Sequence, residues 1–256
     1  MLSVALLKNK TALKKGIALP LELLGDIKIL YEEGPCMLVY KPGGLLTQAP
    51  PHIESLELKM KRYILERDNK QGKVYLGVPH RLDRPVSGVM VLALHQRAAK
   101  RISDQFQRRD VKKTYWACVH GGELSEQGTW VDFMRKVPGE ARSEICDETA
   151  AGAKQAVLHY RVLQQRADKS WLEIELETGR THQIRLQCGS REVPIHGDLL
   201  YGSDQIFGEH HEDERRRCIA LHARHLHLRH PMVDKYIEQT AELPSSWASA
   251  GISLAD

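Results

Sequence analysis

Between Val78 and Gly88 the chain reads Val-Pro-His-Arg-Leu-Asp-Arg-Pro-Val-Ser-Gly, which sets one carboxylate, Asp83, between two guanidiniums, Arg81 and Arg84. A guanidinium nearby favours the ionised carboxylate, so Asp83 suits a nucleophile or a general base better than a proton donor. If the segment is extended, Arg81 and Asp83 point the same way and Arg84 the other. A structural ion pair that pins a loop accounts for the same residues, and this segment alone leaves both readings open. A second cluster, Thr178 to Gln187, carries His182 and Arg185 at a spacing that shares one face of a helix. Leu186 follows Arg185, so the guanidinium is expected in a partly desolvated place, where it needs an anion. Asp83 is the candidate. His222, His225, His227 and His230 crowd together near the end of the chain, but no Glu or Cys is interleaved. Because His225 and His227 alternate with Leu226 and Leu228 in strand fashion, they read as structural or surface histidines ahead of a metal site.

These groups need rigid mounts. Pro79 and Pro85 bias their predecessors away from the helical region, which places Asp83 on an extended or turning loop. Residues 89–94, Val-Met-Val-Leu-Ala-Leu, lack polar alternation; this fits a strand buried on both faces or a short buried helical piece, and the valines favour the strand. A charged loop at the end of a core strand holds a reactive group firmly. Upstream, 26–31 and 36–40 form the arms of an expected hairpin. Lys41-Pro42-Gly43-Gly44 then breaks the strand, as a tight turn or as a loop able to approach another chain or a ligand closely. Leu56, Met60, Tyr63 and Ile64 predict an amphipathic helix within 54–69. A second helix is expected over 96–109, with Ala99, Ile102 and Phe106 inward. Its outer face carries Arg97, Lys100, Arg101, Arg108 and Arg109, continuing into Lys112 and Lys113; this is a solvated face or a phosphate-facing one. Strands are expected over 111–119, with Tyr115 on the same side as Lys113 and Ala117, and over 128–137, 154–165 and 170–177. Thr181 is expected to cap a short helix bearing His182 and Arg185. A glycine-punctuated loop, 194–202, holds another carboxylate, Asp198, and the charge run 209–217 reads as exposed.

With 256 residues and 42% apolar composition the chain can bury a full core as one large domain or two intimately packed halves. A formal charge of only +4 argues against a non-specific polyelectrolyte binder, so any nucleic-acid contact rests on a local basic surface. Five scattered cysteines, with no Cys-x-x-Cys pair, imply a reducing compartment, and the apolar patch from Leu2 to Leu7 is too short to span a bilayer. A cytoplasmic protein is expected.

Taken together, His80-Arg81-Leu82-Asp83-Arg84 with Ser87-Gly88, Lys113-Thr114-Tyr115, Gly179 to Arg185, and Gly197-Asp198 with Tyr201-Gly202 resemble the RluA-type pseudouridine synthases. Lys41 to Leu45, Leu221-His222-Ala223 and His230-Pro231 add weaker support, and the ordered set spans about residues 26–240. The resemblance implies an α+β fold: a mixed, mostly antiparallel sheet in two abutting halves flanked by helices, with the cleft across its middle. It also implies a layout of N-terminal extension (1–25, with no separate RNA-binding module), catalytic domain (26–240) and C-terminal tail (241–256). The implied activity isomerises a specific uridine in structured RNA, ribosomal or transfer, to pseudouridine after flipping the base. Asp83 would be the catalytic aspartate, Tyr115 the ring that packs on the target base, Arg185 the arginine paired to the aspartate and Arg81 the residue that helps displace the base. Pro85-Val86 departs from the acidic or polar residue followed by Thr that is common in the family. A redox-neutral isomerisation calls for no cofactor or metal. The expected partner is RNA, without DNA or membrane, and the expected state a monomer. The alternatives are a non-catalytic RNA-binding protein that keeps the fold, and a hydrolase or metal enzyme using Asp83 or the histidine cluster.

Overall fold

The computed structural model describes residues 21–251 apart from 122, 167 and 250; most of the expected N-terminal extension and the last residues of the expected tail lie outside these. In chain order the elements are β1 (Lys28–Glu33), β2 (Cys36–Lys41), α1 (Leu56–Arg67), β3 (Ser87–Ala93), α2 (Gln96–Arg108), β4 (Lys112–His120), β5 (Gln127–Lys136), β6 (Ser143–Ile145), β7 (Lys154–Gln165), β8 (Lys169–Leu176), α3 (Gln183–Gly189), β9 (Leu221–Arg229), β10 (Tyr236–Thr240) and α4 (Ser245–Ser249). The strands form one sheet in the order β1-β2-β3-β9-β4-β8-β7-β5-β6, with β10 added on β9. Every pairing between these strands is antiparallel except β3 with β9.

The apolar run after the Asp83 loop is a strand, and all seven residues of β3 are buried. Its alternation is hidden because both faces are covered. Met90 and Leu92 pack in the cluster that holds Met60 and Ile64 of α1, whereas Val89, Val91 and Ala93 pack with Ala98 and Ile102 of α2. The inner face of α2 is turned slightly from the expected one: Ala98, Ile102 and Gln105 are buried, with Ala99 and Phe106 at the side. Gln105 tolerates burial because its amide donates to Arg229 O at 2.9 Å and accepts from Arg229 N at 2.9 Å. Beyond β10 the chain stays within the packed body: Ala241 is fully buried, and Trp247 of α4 is 1% exposed in the main core. The packed body therefore runs past 240, because an indole of that size finds its apolar partners there.

The two halves of the sheet meet at a narrow seam. Only Ser87↔His222 and Gly88↔Ala223 pair β3 with β9. Gly88 has φ +127, and a Cβ there would strike the backbone of Ala223. Only glycine fits that conformation and that contact. Beside it the Ser87 hydroxyl donates to Nδ1 of the buried His222 at 2.8 Å, and His222 Nε2 donates to Ala241 O at 3.2 Å. Ala223 also pairs with Tyr115 across β9–β4, so Gly88, Ala223 and Tyr115 stand in one row across the sheet.

Candidate active site

The loop carrying Asp83 is fastened from three sides. The Thr47 hydroxyl donates to Leu82 O at 2.7 Å and accepts from Leu82 N at 3.2 Å, and Val86 N closes a turn onto Asp83 O at 3.1 Å. His80 Nε2 accepts from Val91 N at 3.0 Å, and its ring stacks on Phe106 with centroids 4.6 Å apart. Burial pushes the His80 imidazole down to about 3, with Lys113 adding to the effect, so it is a neutral structural ring. Behind the loop the fully buried Lys41 donates to Pro42 O and Leu45 O at 2.8 Å and to Arg84 O at 3.3 Å. Its burial brings the ammonium down to about 7. The glycine loop after Lys41 packs closely against the chain itself: a Cβ at Gly43 would lie 2.6 Å from Cys218 Sγ.

Asp83 opens into a cleft of 490 Å³, whose lining includes Arg81, Lys113, Tyr115, His182 and Arg185. That volume falls within the ~300–1,000 Å³ typical of small-ligand pockets. All four residues expected to act on substrate therefore share one cavity. Arg81 stands exposed on its wall with no ion-pair partner among the described residues. Tyr115 lies on β4; burial and then the field of Asp83 raise its ionisation well above the ordinary phenol range, so it is a neutral ring. Lys113, two residues before it on the same side of β4, also lines the cleft without a carboxylate partner among the described residues.

Arg185 comes from α3, which starts differently from expectation. Its N-cap is His182, at φ 57, and no side chain caps it; Thr181 is exposed. The turn is tied instead by Gln183, whose Oε1 accepts from Thr178 Oγ1 at 2.8 Å and from Arg180 N at 3.0 Å, while its Nε2 donates to Val157 O at 3.0 Å. One amide that serves three groups holds the turn more firmly than a lone hydroxyl cap. Arg185 is 6% exposed, and its anion is shared. Nε and Nη2 grip the two oxygens of buried Asp198 at 2.6 and 2.8 Å, whereas Nη1 reaches Asp83 Oδ2 at 3.4 Å. Burial opposes the guanidinium charge, but the Asp198 hydrogen bonds and the two carboxylate fields outweigh it and hold its titration above the usual arginine value. Sequence reasoning singled out Asp83 as the partner and missed Asp198 in that role. The signal was the Gly197-Asp198 turn, already conspicuous as a carboxylate held in a glycine loop.

A family model described as RNA pseudouridylate synthase matches residues 35–190. The chain belongs to the RNA pseudouridylate synthase family. It groups with the RluA-type members, as the sequence motifs imply, and is an RNA pseudouridine synthase, an isomerase; the non-catalytic alternative is set aside. The synthase is similar to tRNA pseudouridine synthase C of Yersinia pestis, 31% identical over 238 residues that make up 86% of this chain and 88% of that protein. It is similar also to ribosomal large subunit pseudouridine synthase D of Xanthomonas campestris, 32% identical over 228 residues, 85% of this chain and 66% of that one. Its fold is that of human RNA pseudouridylate synthase domain containing 4, with a TM-score of 0.71 at 22% identity over 89% of this chain and 94% of that one. The mixed, mostly antiparallel sheet agrees with the expected α+β synthase fold. No helix among the described residues is long and apolar enough to cross a membrane.

Proposed function

We propose that the synthase converts a uridine of structured RNA to pseudouridine with Asp83 as its nucleophile. The observation that carries the reading is the convergence of the Asp83 carboxylate, the Arg185 guanidinium and the Tyr115 ring on one cleft, although they come from three separate elements. In the reaction the N1–C1′ bond breaks, the base turns, and a C5–C1′ bond forms; C5 loses a proton and N1 gains one, so atoms and electrons balance without an external oxidant or reductant. Asp83, held beside the Arg185 charge, attacks C6 of the base or C1′ of the ribose. A stacked base is out of reach of either attack and must be extruded, at about a few kcal/mol. Arg81, on the cleft wall and without an ion pair among the described residues, is placed to help displace the base, and Tyr115 packs on it once it is out. Lys113 and the basic outer face of α2 form the phosphate track.

The names of the two relatives support ribosomal or transfer RNA as the substrate class. Five free cysteines accord with work on RNA in the cytoplasm, and we propose a monomer there. The test is Asp83→Asn with pseudouridine mapped in RNA from cells lacking the gene. Product formation is expected to vanish while RNA binding persists; loss of binding in step with product would make Asp83 a structural residue only.

A further inference from the structure

Asp83 meets both of its donors on one oxygen. Arg185 Nη1 donates to Oδ2 at 3.4 Å and His182 Nε2 lies 3.6 Å from the same oxygen, and neither makes a hydrogen bond to Oδ1. What Nε2 presents is decided by the hydrogen bonds behind the ring. The backbone N–H of Ser143 can only donate, and it donates to the Tyr201 hydroxyl oxygen at 2.9 Å. The proton of that hydroxyl then has His182 Nδ1, at 2.8 Å, as its acceptor. A neutral imidazole with Nδ1 accepting carries its proton on Nε2, facing the carboxylate. The opposite tautomer would set a nitrogen lone pair against Oδ2. Burial is the largest influence on His182 and pushes its titration below the ordinary histidine value; Arg185 and Arg81 act the same way, while Asp83 and Asp198 oppose. The ring is fixed from the side as well, edge-on to Tyr201 with centroids 5.7 Å apart and planes at 87°.

We propose that His182 is a positioning residue of the isomerisation, fixed by Ser143 and Tyr201 as the Nε2–H tautomer so that it and Arg185 engage Oδ2 and leave Oδ1 as the single nucleophilic oxygen. This rests on Asp83 being the nucleophile. The separation of 3.6 Å is longer than a hydrogen bond, and the contact tightens when the bound nucleotide excludes water. In either mode of attack the Oδ1–carbon bond forms with a carboxylate electron pair and returns that pair when it breaks. His182 keeps its proton throughout. Its contribution is to hold the charge that reappears on the carboxylate and to stop the two oxygens from exchanging roles.

The test reads the tautomer directly. In the full chain labelled with 15N-histidine, with His182 assigned by comparison with His182→Gln, Nε2 is expected to be the protonated nitrogen at neutral pH. In Tyr201→Phe the Nδ1–H form is expected to appear. With RNA from cells lacking the gene as substrate, Tyr201→Phe is expected to lower kcat about tenfold, the worth of one charge-assisted hydrogen bond, with KM nearly unchanged. His182→Gln, whose amide N–H can reach the same oxygen, is expected to retain more activity than His182→Ala. Wild-type His182 protonated on Nδ1, or wild-type kcat in His182→Ala, overturns the proposal. Retained activity in Asp83→Asn overturns the reading of Asp83 and the role of His182 with it, whereas a wrong tautomer overturns the second alone.

Discussion

Arg185 is shared between a buried carboxylate, Asp198, and one that opens to the cleft, Asp83, and the same substitution is expected to cost unequal stability at the two. Asp198, 1% exposed, takes two short bonds from a guanidinium that is itself 6% exposed. Asp198→Asn keeps one acceptor oxygen but removes the countercharge, and breaking a buried pair on one side costs about 3–5 kcal/mol. The retained acceptor puts the loss near the lower bound, about 3 kcal/mol; at about 2–4 °C per kcal/mol for chains near this length, Tm should fall by about 6–12 °C. The Asp83 carboxylate receives one long hydrogen bond from Arg185 at 3.4 Å, with His182 Nε2 at 3.6 Å, and opens to the cleft, so Asp83→Asn should cost less than about 1 kcal/mol. Scanning calorimetry of the two variants, with pseudouridine formation measured in parallel, checks both. Asp198→Asn should also lose activity, because the freed fork of Arg185 can close on both oxygens of Asp83. A Tm for Asp198→Asn within about 2 °C of wild type, or an equal fall in Asp83→Asn, would refute the division of roles.

Three further outcomes follow from the site and its mount. Burial holds His80 at about 3 and His222 at about 4, both below free histidine, so their stabilisation is complete above about pH 6.5 and is lost as pH falls towards those values. Urea unfolding at pH 7 and pH 5 should show a decline of up to about 2.7 kcal/mol per pH unit in that window, and His80→Gln should remove roughly half of it. Tyr115→Phe should keep the stacking surface, whereas Tyr115→Ala should lower kcat/KM by about ten- to a hundredfold, the worth of one base–aromatic stack; wild-type kinetics in the alanine variant would remove Tyr115 from the site. Lys113→Gln should weaken RNA binding and reduce the slope of log affinity against log salt by about 0.7–0.9, and an unchanged slope would place Lys113 off the phosphate track.

What could be read from the sequence was local. β3 is legible because a run of valines bounded by a charged loop has few other folds open to it, and α2 because its apolar spacing is helical. The cap of α3 was not legible, since Thr181 has the residue type of a cap but the amide of Gln183 reaches more partners from inside the turn. Within the site, Asp83 and Arg185 stand out by residue type and local setting. The claim of Asp198 on Arg185 does not, because both carboxylates satisfy the same electrostatic demand and only distances in the folded chain rank them. His182 was legible as a neighbour of Arg185 but not as a donor, for its proton is placed by Ser143 and Tyr201, which lie on other segments.

The seam at Gly88 has a consequence for how the reaction centre can vary. Asp83 is carried by one half of the sheet and Tyr115 by the other, and between them β3 and β9 touch where the glycine contributes only main chain. Where the two halves that carry Asp83 and Tyr115 meet, their approach is set by main chain against main chain, with no side chain of residue 88 between them. A side chain introduced at position 88 would push the halves apart and, on the proposed roles, widen the gap between Asp83 and Tyr115.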